Sequence, residues 1–173
     1  MNGLALTSPS PALGQDDVLL PFPIMHFTGA VGVLSANPVY LYKLPQVAVP
    51  FLVTRIGYCV GVAAGNVDAG LYTRSGTTYT RVASSGSTAA AGSSVMQDLT
   101  MTTPYTINPG QELFVAFGTD SATITLLRLS ASVTAWCADD NAMLVKTGAW
   151  SSGLPASIAT PSGSVTAIAL RLS

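Results

Sequence analysis

From Phe51 onward, apolar and polar positions alternate with the two-residue period of a β-strand. Residues 51–63 are rich in β-branched and aromatic side chains and predict one long strand. Val67, Ala69 and Leu71 alternate with Asp68, Gly70 and Tyr72, and Tyr79 and Arg81 alternate with Thr78, Thr80 and Val82. Ser75-Gly76 lies between these two runs and predicts a hairpin turn. Residues 84–94 hold no apolar side chain larger than Ala and read as a loop. Residues 95–101 and 105–107 resume the strand pattern and run into Asn108-Pro109-Gly110, a strong turn signal. Leu113, Val115 and Phe117 then alternate with Phe114 and Ala116. A turn over 118–121 and a returning strand over 122–129 predict a second hairpin. Residues 133–137 and 143–146 are weaker strand candidates, and 165–172 is a clean closing strand.

No stretch carries a 3.6-residue apolar stripe over three turns, so helices are expected to be few and short. Short strands separated by Gly, Pro and Asn turns predict an all-β protein. The expected architecture is an antiparallel β-sandwich of about eight strands, of jelly-roll type.

Residues 1–50 differ from the rest. Pro9, Pro11, Pro21, Pro23, Pro38, Pro45 and Pro50 stand too close together for a long helix. Between them lie short apolar pieces such as Val18-Leu19-Leu20 and Val39-Tyr40-Leu41-Tyr42. The expected organisation is an extended N-terminal arm over 1–50, with one or two short strands, and a sandwich domain over 51–173. An arm of this kind gains order by lying along a neighbour. The competing reading makes the same residues a loop-rich first layer of the sandwich.

Composition sharpens this picture at one point. Charged residues are only 9% of the 173, while hydrophobic residues are 49%. A freely diffusing domain normally keeps about 25% charge. The surface here must be built from Ser, Thr, Ala and Gly, and coverage by other subunits would account for it; a Ser/Thr-rich secreted domain is the alternative. The net charge is −1, and no Lys/Arg cluster exists for nucleic acid or an anionic membrane. The most apolar run, 47–65, is broken by Pro50 and Arg55, against a membrane span. The first basic residue is Lys43, so the N-terminus lacks the charged region of a secretory leader, and synthesis in a cytoplasm is expected.

Candidate chemistry is sparse. His26, the single histidine, sits in Pro21-Phe22-Pro23-Ile24-Met25-His26-Phe27 with no nucleophile-elbow context. One histidine and two distant cysteines, Cys59 and Cys137, make no conventional zinc site, and both thiols are expected to be buried and free. Asp139-Asp140-Asn141 is the one dense oxygen cluster near an aromatic, Trp136; it suits calcium or, more simply, a solvated turn. Nothing in the placement of the eight acids selects a carboxylate pair for glycoside hydrolysis. Tyr72, Tyr79, Trp136 and Trp150 present rings that could stack on a sugar, or pack in the core and at subunit interfaces. Trp150, within Gly148-Ala149-Trp150-Ser151-Ser152-Gly153, is the best candidate for an exposed contact. No catalytic residue, cofactor or metal is expected.

Asn66-Val67-Asp68-Ala69-Gly70-Leu71-Tyr72, then Ser75-Gly76, then the run from Ile107 through Asn108-Pro109-Gly110 to Phe117 resembles a β-sandwich module of tailed-bacteriophage virions. The resemblance covers roughly 51–129. Phe114 stands where such modules commonly carry tyrosine, and Thr73 where an acidic residue is frequent. The resemblance implies a non-enzymatic virion protein, a decoration or cement subunit that binds the head exterior, or else a receptor- or carbohydrate-binding fibre module. The implied partners are the major capsid protein or other virion proteins and further copies of the chain, with a trimer favoured, or a glycan. Partner contacts are expected at Phe22, His26, Tyr40, Tyr42, Tyr72 and Trp150.

Overall fold

The computed structural model describes residues 30–33, 36–128, 143–146, 149–163, 168 and 170–173. Every regular element among them is a strand: β1 (Ala30–Val33), β2 (Val39–Lys43), β3 (Phe51–Val62), β4 (Asn66–Ser75), β5 (Thr78–Ser84), β6 (Thr88–Ala89), β7 (Ser93–Ile107), β8 (Leu113–Thr119), β9 (Thr125–Arg128), β10 (Met143–Lys146), β11 (Ser157–Ala159), β12 (Ser162–Gly163) and β13 (Leu170–Leu172). All the described pairings are antiparallel.

The strands form two sheets. In the first, β7 takes one edge of β3, and β13 and then β9 take the other, with β1 beyond β9. The second runs in the order β11-β5-β4-β8-β2-β10-β12, with β6 added to β4. Val53, Ile56, Tyr58 and Val60 of β3 share one core with Ala69 and Leu71 of β4 and with Val115 and Phe117 of β8. The Tyr58 and Phe117 rings meet across it at 5.2 Å, tilted by 45°. Period-two alternation sets Ile56, Tyr58 and Val60 on one face, and the register shift between Val53 and Arg55 brings Val53 to the same side.

The second sheet is curled onto itself. Laid flat, the seven strands of its path would hold β11 and β12 about 29 Å apart, at about 4.8 Å per step. Only Thr160 and Pro161 separate those two strands in the chain, so Ala159 and Ser162 lie within about 11 Å of each other. One short stretch therefore bonds on one side to β5, through Ser157–Ala159, and to Thr77 just before it, through the amide of Thr160, and on the other side to β10. Because the first sheet covers one face, the curl closes around the opposite face. That inner face has a second core of Val39, Leu41, Tyr72, Tyr79, Phe114 and Ala116, joined by Leu154 and Ile158.

A bulge sets which side chains reach the inner face. Leu71 pairs with Ala83 but Tyr72 pairs with Arg81, leaving Val82 as an extra residue, 37% exposed. The extra residue shifts the alternation of β5 by one. Ala83 packs against the shared core, while Arg81 and Tyr79 turn to the inner face of the curl.

Several sequence expectations change in this light. The turn at Ser75-Gly76 is present, with Gly76 at φ 59°. The second hairpin is not formed: both edges of β8 are occupied, by β2 and β4, so the next strand has no edge to pair with and crosses into the first sheet. The crossing is organised by the Ser121 hydroxyl, which accepts the amides of Thr123 and Ile124. The expected loop over 84–94 contains β6, which pairs with Asn66 and Val67. Residues 39–43, assigned to the arm, form β2 in the middle of the second sheet. Residues 1–29 and 133–137 lie outside the described residues.

Candidate functional site

The inner face of the curl presents three rungs of different size. The lowest sets Tyr72 beside Phe114 and Lys43; the next sets Gly70 beside Ala116 and Leu41; the highest sets Asp68 beside Gly118 and Val39. Large rings fill the lowest rung, where Tyr79 meets Phe114 edge-on at 4.9 Å and the Arg74 guanidinium stands 5.9 Å from the Phe114 ring centre. The two upper rungs leave room, and residues 149–159 occupy it. A Cβ at Gly118 would come within 2.8 Å of Trp150 Cε3, and one at Gly70 within 3.0 Å of Leu154 Cδ1. Trp150 and Leu154 are 6% and 3% exposed.

Polar groups from β4 and β5 tie the segment down. The Tyr72 hydroxyl donates to Pro155 O at 2.6 Å. Arg81 donates its amide to Ala156 O at 2.9 Å and its guanidinium to Leu154 O. The Asp68 carboxylate accepts the Leu154 amide at 2.9 Å through Oδ2 and the Ser85 hydroxyl at 2.9 Å through Oδ1. The Trp150 amide donates to Asn37 O at 3.1 Å. The segment has little hydrogen-bonded ladder of its own, so these bonds satisfy backbone groups that would otherwise be buried unpaired.

Burial dominates the electrostatics. Asp68 is 1% exposed, and desolvation raises its pKa above the ordinary carboxylate value, against the opposing hydrogen bonds from Leu154 and Ser85 and the charge of Arg81. Desolvation also pushes the Tyr72 phenol well up, so it remains a donor. At the open end of β4, Asp120 accepts the Asn66 amide at 2.6 Å and its side-chain NH2 at 2.7 Å, which lowers its pKa. Lys43 and Arg74 both reach Glu112, at 3.2 and 3.4 Å. On the first sheet Arg171 bonds both oxygens of Asp98, at 2.8 and 2.9 Å, over the bare backbone of Gly57.

The residues expected to meet partners fall into two groups. Tyr40, Tyr42, Tyr72 and Trp150 are all buried, at 6, 9, 0 and 6% exposure. Tyr40 and Tyr42 face the shared core, and the Tyr42 hydroxyl accepts the Ile168 amide at 3.2 Å. Tyr72 and Trp150 face the inside of the curl, so neither ring is the exposed contact expected from the sequence. The loop-like setting of Trp150 was misleading because its cover comes from strands remote in the chain. Phe22 and His26 lie outside the described residues, as do Cys137 and Asp139-Asp140-Asn141. Cys59 is a free thiol, half-buried rather than buried. No group of three or more His, Cys, Asp or Glu suited to a metal occurs among the described residues.

Sequence reasoning passed over Asp68 and Arg81. The available signal was a single carboxylate in Val67-Asp68-Ala69-Gly70-Leu71-Tyr72, a run otherwise apolar or bare on both faces of the strand.

Large exposed apolar side chains among the described residues are Val33, Val49, Leu52, Val62, Val82, Val95 and Met96, and four of them lie on the β3–β7 ladder. Val62, Val95 and Met96 are 55, 44 and 48% exposed and stand on neighbouring rungs at one end. Leu52, 53% exposed, stands at the other. Comparison with protein-family models, with characterised proteins and with solved structures found no match to this chain.

Proposed function

We propose that this chain is a non-enzymatic structural protein of a virion, a decoration subunit that binds the exterior of a capsid and stabilises it. The observation that carries the reading is the exposed apolar tip of the β3–β7 ladder, Val62, Val95 and Met96, on a chain with only 9% charge. Burial of such exposed apolar side chains against a partner contributes about 25 cal/mol per Å² before association costs. The resemblance of 66–76 and 107–117 to phage virion modules gives the same direction. The neighbours on this reading are capsid subunits and further copies of the chain, arranged as a trimer, with synthesis in the host cytoplasm and assembly on the particle exterior. The finer fold assignment belongs to the same proposal: two layers of a jelly-roll sandwich, preceded by an arm inferred from the proline spacing.

The alternative, a carbohydrate- or receptor-binding fibre module, relied on exposed Trp150 or Tyr72, and both rings are buried. The decisive test mixes purified protein with undecorated heads and measures binding and heat resistance of the particles. Binding that is lost in Met96→Lys/Val62→Lys, with the fold retained, supports the proposal. Absence of binding by the unmodified chain overturns it.

A further inference from the structure

Asp68 is the only charged side chain fully buried among the described residues. It stands where three pieces of chain meet: its own strand β4, the turn at Ser85-Gly86 and the backbone at Gly153-Leu154. Both of its oxygens are engaged, one on each side of the seam between the sheet and the segment 149–159. Lifting that segment would expose the carboxyl to water, and closing it removes the carboxyl from water.

With Asp68 neutral, its contacts with Ser85 and Leu154 are both kept. A protonated carboxyl donates to Ser85 Oγ and still accepts the Leu154 amide. Ser85 Oγ then accepts the Ala69 amide at 3.1 Å and donates to Gly86 O at 3.1 Å. With Asp68 ionised, the Ser85 hydroxyl turns to the carboxylate. That bond, the Leu154 and Gly86 amides and the charge of Arg81 favour the ionised form, but burial in a dry seam outweighs them.

We propose that Asp68 is a proton-operated latch on residues 149–159: neutral, it holds the segment shut across the curl; ionised, it loosens it. The groups facing it are few. Arg81 of β5 is the nearby cation, with its guanidinium committed to Leu154 O, and Tyr72 lies on the same face of β4. Residues 149–159, the turn at Ser85-Gly86-Ser87 and the inner face of β8 carry no titratable group. Lys146 stands on the same rung three strands away, through Val39 and Gly118, and Asp120 is held by Asn66 at the strand end.

The sign follows from the raised pKa of Asp68. Its contribution to closure is fully present below the ordinary value of 3.8 and is lost as pH rises through the folded value. Each unit by which the closed-state pKa exceeds the open-state one multiplies the opening equilibrium about tenfold.

The test uses the full chain carrying Trp136→Phe, which leaves Trp150 as its one tryptophan. Acrylamide quenching of Trp150 and the protection factor of the Leu154 amide are followed from pH 4 to pH 8, with far-ultraviolet dichroism confirming the fold. The expected result is quenching that rises, and protection that falls, as pH increases. Asp68→Asn donates and accepts like the neutral acid and should give a flat profile held at the closed limit. Should that variant not fold, Ser85→Ala serves: losing a bond that favours the ionised form moves the opening midpoint to higher pH. A profile unchanged in Asp68→Asn, one of opposite sign, or a Ser85→Ala midpoint that stays put or moves down overturns the proposal.

Discussion

The indole of Trp150 rests on the bare backbone of Gly118, so close that a Cβ at 118 would stand 2.8 Å from ring atom Cε3. Glycine is needed there for space and not for an unusual backbone angle, since residue 118 lies in a regular strand. Gly118→Ala should therefore force the rigid ring to shift and destabilise the protein by about 1–3 kcal/mol. Trp150→Ala should remove the ring altogether at a cost of about 3–5 kcal/mol. Denaturant unfolding of both variants checks this; a neutral Trp150→Ala would mean that the ring does not fill the curl.

Tyr72→Phe tests one tie to the segment without disturbing the packing. The ring stays, Pro155 O loses its donor, and stability should fall by about 1–3 kcal/mol. Proteolysis under native conditions should then cut within 149–159 sooner than elsewhere.

The bulge at Val82 gives a prediction of its own. Deleting Val82 makes Ala83 and Arg81 consecutive, so plain alternation still turns Ala83 to the shared core and Arg81 and Tyr79 to the inner face. The pairs Leu71–Ala83 and Tyr72–Arg81 and the bond from Arg81 to Leu154 O stand without the extra residue. The deletion should therefore fold, as Val82→Ala should, and alter chiefly the local twist of β5. Dichroism and denaturant unfolding check both; a deletion variant that does not fold would show that the bulge itself is required.

Asp120 sets the opposite pH dependence to that of Asp68. Its pKa is lowered by the bonds from Asn66, so its contribution to stability is present above the ordinary value of 3.8 and is lost as pH falls through the depressed value. Thermal unfolding between pH 2 and pH 5 should show a loss on acidification that is smaller in Asp120→Asn. Equal slopes in the two chains would remove Asp120 as a source.

Strands and turns were legible in the sequence because each depends on neighbours in the chain. Alternation in 51–62, 67–72, 78–82 and 113–117, and the turns at Ser75-Gly76 and Asn108-Pro109-Gly110, follow from side-chain period and local backbone preference. The buried run Leu113–Phe117 was also readable as apolar on both faces. What lies over each face was not. β3 covers one side from more than fifty residues away, and Trp150 and Leu154 cover the other from the opposite direction along the chain.

Residues 149–159 illustrate the limit most plainly. Trp150, Leu154, Pro155 and Ile158 follow neither a two-residue nor a 3.6-residue period, so the stretch reads as an exposed loop. Its cover is fixed by the open rungs at Gly70, Ala116 and Gly118 and by the bulge that turns Arg81 inward. The sequence alone determined which segments extend and where they turn, because those are local energies. Only the tertiary structure decided that the second sheet curls, that Trp150 and Tyr72 lie inside it and that Asp68 is sealed at its seam. Those outcomes depend on which distant strands share hydrogen bonds, and that pairing is settled when the chain closes on itself.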